Sequence, residues 1–233
     1  MSDRILQLTA DGSHTISIPA LNVSYHSRYG AIQESRHVFI EAGLKCFLDL
    51  ASIPPQQVVK IFEIGFGTGL NALLSLVEAV RIHRKIYYAA VEPFPLSIDE
   101  VQSLNYVSLL SKGFDREFIG MHEANPDEQI VIHPCFSFKK SNITLEKFEA
   151  EEQFHVIYFD AFDPNVQSGL WTKDIFRKMF DMLEPNGILT TYSSKGAVRR
   201  ALQAAGFKVE KLPGPAGKRE MIRARKWGMS DDG

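Results

Sequence analysis

The sequence has 233 residues, 45% of them hydrophobic, and a net charge of −2. That length suits one domain with a small extension, and no apolar run approaches the ~18 residues that a membrane span needs. Two isolated cysteines, Cys46 and Cys135, and seven histidines without ligand spacing give neither a disulfide framework nor a metal site.

The opening MSDRILQLTADGSH lacks a basic-then-apolar export pattern, so a cytoplasmic protein is expected. Residues 1–52 read as an N-terminal extension packed on the core. Within it, Asp11-Gly12 marks a turn before a short alternating strand, Thr15–Ile18. Ser35–Leu50 then carries Val38, Phe39, Leu44, Phe47 and Leu48 at helical spacing. Ile53-Pro54-Pro55 breaks that helix and opens a core domain over 53–228. Residues 229–233 read as a flexible tail.

The core begins with an apolar strand, Val58–Phe62, followed by Glu63 and three glycines, Gly65, Gly67 and Gly69. Leu70, Leu73, Leu74, Val77 and Val80 continue at helical spacing. Strand, glycine turn and helix form the unit that binds nucleotide-like ligands at the carboxyl end of a parallel sheet. The third glycine of a dinucleotide fingerprint falls on Leu70, and the Lys-Ser/Thr ending of a phosphate loop is absent. Glu63 before the turn would repel phosphate. A ligand with a positive charge and no phosphate fits better, and S-adenosylmethionine is such a ligand. A purely structural tight turn is the alternative.

Lys85–Val91 reads as the second strand, ending in Glu92, 27 residues after Gly65. An acidic residue there is placed to accept bonds from ribose hydroxyls. Leu96–Leu110 reads as one amphipathic helix, Gln129–Cys135 as strand three and Leu145–Phe148 as a short helix. Phe154–Phe159 is an apolar strand ending in Asp160, and Thr172 caps a helix to Leu183. A turn at Glu184–Gly187 leads to a strand from Ile188 to Tyr192. A helix over Ala197–Ala205 is stopped by Gly206, and Phe207–Leu212 and Glu220–Ala224 pair as a final hairpin. The fold class is therefore α/β, a doubly wound Rossmann-like sheet with a C-terminal antiparallel hairpin.

The charge is unevenly spread. Lys195 to Lys226 holds ten Lys/Arg against two acids, a balance of +8, and the rest of the chain carries −10. A polyanionic partner at that end is one reading, and solvated helix and hairpin faces are the other. Glu63, Glu92 and Asp160 all reach the ligand end of the sheet. With two assigned to the cofactor, Asp160 is left for the substrate. An amine nucleophile must be neutral to accept a methyl group, and a carboxylate can aim it and take its proton. Asp163 is a second candidate, although Asp-x-x-Asp-Pro also suits a turn.

The stretches YHSRYGAIQESRHVF, FEIGFGTGLNALL, VEPFPL, YFDAFDPNVQSGLWT and TYSSKGAVRRALQAAGF with GKREM run in this order from Tyr25 onwards. In these the chain resembles the tRNA wobble-uridine methyltransferase family, in its stand-alone MnmD-like form related to the methyltransferase half of MnmC. The resemblance implies S-adenosyl-L-methionine-dependent N-methylation of 5-aminomethyl-(2-thio)uridine in tRNA. It places the catalytic aspartate at Asp160 and the cofactor at Glu63, Gly65, Gly67, Thr68, Gly69, Asn71 and Glu92. Lys195, Arg199, Arg200, Lys218 and Arg219 are expected near the RNA.

Three features depart from the family pattern. No flavin oxidase segment follows, so separate upstream enzymes are expected to supply the aminomethyl substrate. Phe138–Asn142 replaces the Gly-Asp that meets adenine, so no adenine contact carries over. Ala161-Phe162-Asp163 replaces Gly-Phe-Ala, which leaves Asp163 without a family role. The alternative functions are a methyltransferase or aminopropyltransferase-like enzyme acting on a small amine, and an idle RNA-binding module.

Overall fold

The computed structural model describes residues 4–50, 53–110 and 113–227. The expected tail at 229–233 and the end of the extension at 51–52 lie outside the described residues.

The extension opens with a three-stranded antiparallel sheet, β1 (Ile5–Leu8), β2 (His14–Ile18) and β3 (Val23–Ser24). Asp11 builds the first turn. Its carboxylate accepts from Thr9 Oγ1 at 2.8 Å, from Ser13 N at 3.0 Å and from Gln33 N at 2.9 Å. The following helix begins at Ala31, four residues before the expected Ser35. It runs as α1 (Ala31–Ser35), a π-helical stretch Arg36–Lys45, and α2 (Cys46–Leu50). Val38, Phe39, Ile40 and Leu44 of the π-helical stretch are buried. Gly43 lets that stretch lie against the sheet, since a Cβ there would stand 3.2 Å from Tyr158 and Thr190.

The core continues through β4 (Val59–Ile64), α3 (Leu70–Arg81), β5 (Ile86–Val91), α4 (Ile98–Gln102), α5 (Tyr106–Leu110) and α6 (Asp115–Glu123). It proceeds through β6 (Ile130–His133), β7 (Phe136–Ser141), β8 (Phe154–Phe159), α7 (Lys173–Met182) and β9 (Leu183–Thr191). It closes with α8 (Gly196–Ala204), β10 (Lys208–Pro213) and β11 (Glu220–Arg225). Eight strands lie in the order β10-β11-β9-β8-β4-β5-β7-β6. The β4–β5, β5–β7, β4–β8 and β8–β9 pairs are parallel, whereas β11 runs antiparallel to β9 and β10. Strand order reverses between β4 and β8, the place where such sheets open a crevice for ligands. Every residue of β5 and β8 is buried, because helices cover both faces. Apolar layers fill the space on each side. Ile61, Tyr88 and Tyr158 face the layer of α3 and the π-helical stretch, and Phe62, Phe159 and Ile157 face that of α7 and α8.

Three sequence expectations need correction, and one helix is new. The expected helix Leu96–Leu110 is two helices, because the chain between them is held by the extension. Asn105 accepts from His14 N at 2.8 Å and donates to Gly12 O at 2.9 Å, while His14 Nδ1 lies 2.9 Å from Ser103 O. The third parallel strand is β7, and Gln129–Cys135 holds only the antiparallel edge strand β6. Two lysines in Phe136–Ser141 disguise that strand, although Lys140 is buried. Leu145–Phe148 is a turn closed by Phe148 N donating to Thr144 O, not a helix. Helix α6 had no counterpart in the reading. The turn at Glu184–Gly187 survives as a bulge, since β8 and β9 pair at Phe154–Leu183 and resume at Val156–Ile188.

Candidate active site

The glycine turn leaves β4 at the reversal of strand order. Gly65 and Gly67 have φ of +85° and +50°. A Cβ on Gly65 would stand 2.9 Å from the Asp160 carbonyl, and one on Gly67 would stand 2.8 Å from the Tyr25 ring. Only glycine allows both the backbone angle and the approach. The loop is held from three sides. Glu92 accepts from Gly67 N at 2.8 Å and from Phe94 N at 2.9 Å. His122 of α6 has Nε2 3.2 Å from Thr68 O. Burial pushes this imidazole down to about 3, so it sits there neutral. Thr68 Oγ1 lies 3.5 Å from Nε2 of His26, another buried histidine pushed down by burial to about 4.

Asn71, on the first turn of α3, bridges two carboxyl groups. Its Nδ2 donates to Glu63 Oε1 and to Asp160 Oδ2, each at 2.8 Å. Glu63 is 1% exposed, and burial first, then Asp160, raises its pKa well above the carboxylate range. Asp160 follows β8, with its N–H donating to Ile64 O. Burial first, and then the Glu34 charge, pushes its carboxyl up to about 7, against the Asn71 hydrogen bond and Lys218. Next to it, the Lys195 ammonium at 2.6 Å and the Asn165 N–H hold Asp163 below the usual range despite its burial. Asp163 therefore builds the Asp-Pro turn and anchors the start of α8.

A cavity of about 1640 Å³ opens over these groups. Gly65, Gly67, Thr68, Asn71, Glu92 and Asp160 line it. Glu63 lies beneath that lining and acts on it through Asn71. Gly69 is also outside the lining and starts α3 in a left-handed conformation. Of the five basic residues expected near RNA, Lys218 alone is in the lining. Lys195 is paired with the lining residue Asp163, while Arg200 and Arg219 are exposed and Arg199 is half-buried on α8. The sequence reading gave no role to Tyr25, His26, Tyr29 and Glu34, which the extension brings into the same lining. All four lie in the stretch YHSRYGAIQE, so the signal was present as a motif without a chemistry attached.

The donor set fits S-adenosyl-L-methionine. Two glycines without side chains form a cradle that a Cβ would fill, and a carboxylate rather than a cation faces it from Glu92. Among the described residues Asn71 Oδ1 is buried with no hydrogen-bond partner, an acceptor left for a ligand donor.

Comparison with known proteins places this geometry. The family described as S-adenosyl-L-methionine-dependent methyltransferase matches residues 110–227. The tRNA 5-methylaminomethyl-2-thiouridine biosynthesis bifunctional protein MnmC of Burkholderia multivorans is 30% identical, over 98% of this chain and 37% of its own length. The protein of the same name from Pseudomonas aeruginosa is 29% identical, over 85% of this chain and 31% of its own. The chain thus spans about a third of the length of these curated relatives. Among solved structures, MnmC2 from Aquifex aeolicus superposes with a TM-score of 0.75 at 24% identity, covering 96% of this chain and 70% of that one. Spermidine synthase from Thermotoga maritima follows at 0.52 and 16%, covering 95% and 72%. At these identities, the structural likenesses establish the fold.

Proposed function

This chain belongs to the S-adenosyl-L-methionine-dependent methyltransferases, and we propose that it N-methylates the 5-aminomethyl group of (2-thio)uridine at the wobble position of tRNA. One observation carries the choice of an amine. Asp160 lines the cavity with a carboxyl group whose Oδ2 is held by Asn71, and no hydrogen bond engages its Oδ1 among the described residues. That oxygen is available to accept an N–H and to take up the proton that an ammonium must shed before it can be methylated.

Bound in the cradle, S-adenosyl-L-methionine supplies a methyl group on a cationic sulfur. Gly65, Gly67 and Thr68 would hold it by close backbone approach, and Glu92 would accept from its ribose hydroxyls. Glu92 already fixes the loop through Gly67 N, so the same carboxylate shapes the cradle and meets the sugar. Asn71 couples this side to the substrate side, because its one amide group touches both Glu63 and Asp160.

The tRNA assignment rests on the names of the relatives and on the basic end of the chain. In that region Lys211, Arg223 and Arg225 pair with Glu220 and Glu210, so their charge is spent inside the hairpin. Arg199, Arg200 and Arg219 are the better phosphate contacts, with cavity-lining Arg28 a fourth. A tRNA substrate puts the activity in the cytoplasm. Among the described residues no helix is long and apolar enough to cross a membrane.

Nucleoside mass spectrometry of tRNA incubated with the protein and labelled cofactor tests the proposal. The expected product is labelled 5-methylaminomethyl-(2-thio)uridine at the wobble position. Methylation of a free primary amine as efficient as that of tRNA would replace it with a small-molecule enzyme.

A further inference from the structure

Glu34 is a charge that the assigned chemistry does not use. It lies on α1 immediately before the π-helical stretch, is 7% exposed, and faces the cavity. Widened helical turns of that kind recur at functional sites. Glu34 Oε2 accepts from Ser27 N at 2.7 Å. Its Oε1 accepts from Lys218 Nζ, which arrives from the β10–β11 connection at the far end of the chain. The same ammonium stands 3.9 Å from the centroid of the Tyr192 ring. The Tyr192 hydroxyl donates to Ala161 O at 2.8 Å, which fixes that ring beside the Asp160 turn.

A buried carboxylate and an aromatic face, on two sides of one ammonium, form a recognition set for an alkylammonium ion. Lysine is an alkyl chain ending in a primary ammonium, so its headgroup resembles a protonated aminomethyl group. Asp160 lines the same cavity.

We propose that Glu34 and Tyr192 form the cage that binds the substrate's aminomethyl ammonium, and that Lys218 fills this cage until the substrate amine takes its place. The inference deepens the amine-methylation reading and rests on it. Exchange of one cation for another keeps buried Glu34 compensated while the substrate enters, which removal of Lys218 alone would not. The displaced Lys218, at the cavity mouth, then faces the RNA. A uridine without an amine offers nothing to compensate Glu34, so the cage rejects unmodified wobble bases whether or not Lys218 is present. Once seated, the ammonium gives its proton to Asp160: an N–H bond breaks, an O–H bond forms, and the nitrogen lone pair is exposed for methylation.

The test uses the full chain and two anticodon stem-loop RNAs, one with 5-aminomethyl-uridine and one with 5-hydroxymethyl-uridine at the wobble position. Dissociation constants are measured for wild type, Glu34→Gln and Lys218→Met, with thermal melting to show that each variant is folded. The wild type is expected to prefer the aminomethyl RNA. Glu34→Gln should cut that preference about tenfold or more by weakening the aminomethyl RNA alone. Lys218→Met should keep the preference while weakening both RNAs alike. Equal weakening of both RNAs by Glu34→Gln, or loss of preference in Lys218→Met, overturns the cage. A wild type that methylates the aminomethyl RNA while both variants keep its full preference removes the cage and leaves the amine reading standing. A wild type with no preference and no methyl transfer overturns both.

Discussion

The two sides of the cavity are made differently. The proposed cofactor side comes from one short run of chain, Glu63 to Glu92, and is shaped by backbone: two glycines at positive φ, and a carboxylate bonded to Gly67 N and Phe94 N. The proposed substrate side comes from three distant segments and is shaped by side chains. Asp160 follows β8, Glu34 precedes the π-helical stretch, and Lys218 comes from the last hairpin. The contrast teaches where each kind of information lies. A cradle for a constant ligand can be written in contiguous residues, whereas a site for a particular acceptor is assembled by the tertiary fold.

If the two sides are as separate as this, damage to one should spare the other, and the largest effect should follow from Asp160. Asp160→Ala is expected to lower single-turnover methylation about 10²- to 10⁴-fold, the usual span for loss of a positioned acid–base group, with cofactor affinity unchanged. Titration calorimetry alongside rapid-quench kinetics reads both. The mirror experiment is Gly67→Ala, which puts a methyl group against the Tyr25 ring at an unfavourable φ. It should weaken cofactor binding by tenfold or more while leaving affinity for RNA intact, as measured by filter binding.

The comparison sharpens with pH. The Asp160 carboxyl is raised from 3.8 to about 7, so the folded chain holds this proton more tightly than the unfolded one. Its contribution to stability is therefore fully present below about pH 4 and declines as pH rises through about 7. Asp160→Asn, which cannot ionise, should melt increasingly above wild type across that window and keep its advantage at pH 8. Methylation should run the opposite way, rising through about pH 7 as the carboxylate forms. The smallest effect belongs to the outer surface. Replacing Arg199, Arg200 and Arg219 together should weaken tRNA several-fold at low salt and flatten the salt dependence by roughly one phosphate contact per residue. Cofactor affinity should not move.

How much was legible follows the same division. The sheet, the glycine turn and the strand-end positions of Glu92 and Asp160 were readable because apolar strands ending in acids announce themselves locally. β7 was hidden because Lys140 is buried inside the protein, its ammonium donating to the His122 carbonyl at 2.8 Å, an arrangement that residue pattern does not suggest. The break between α4 and α5 was hidden because its cause is a hydrogen bond from His14, far away in sequence. Glu34 fell just before the expected helix, and its partner Lys218 is brought to it by the hairpin, 184 residues later in the chain. Glu63 was expected at the cofactor, and the structure places it under the lining, where it accepts a hydrogen bond from Asn71.

The central claim is that Asp160 serves the acceptor and not the cofactor. It is tested most directly by titrating S-adenosyl-L-methionine into wild type and Asp160→Asn at pH 8 and following methylation of aminomethyl-uridine tRNA with the same preparations. Equal cofactor affinity with at least a hundredfold loss of transfer is the result expected. A fall in cofactor affinity that accounts for the lost transfer would contradict it.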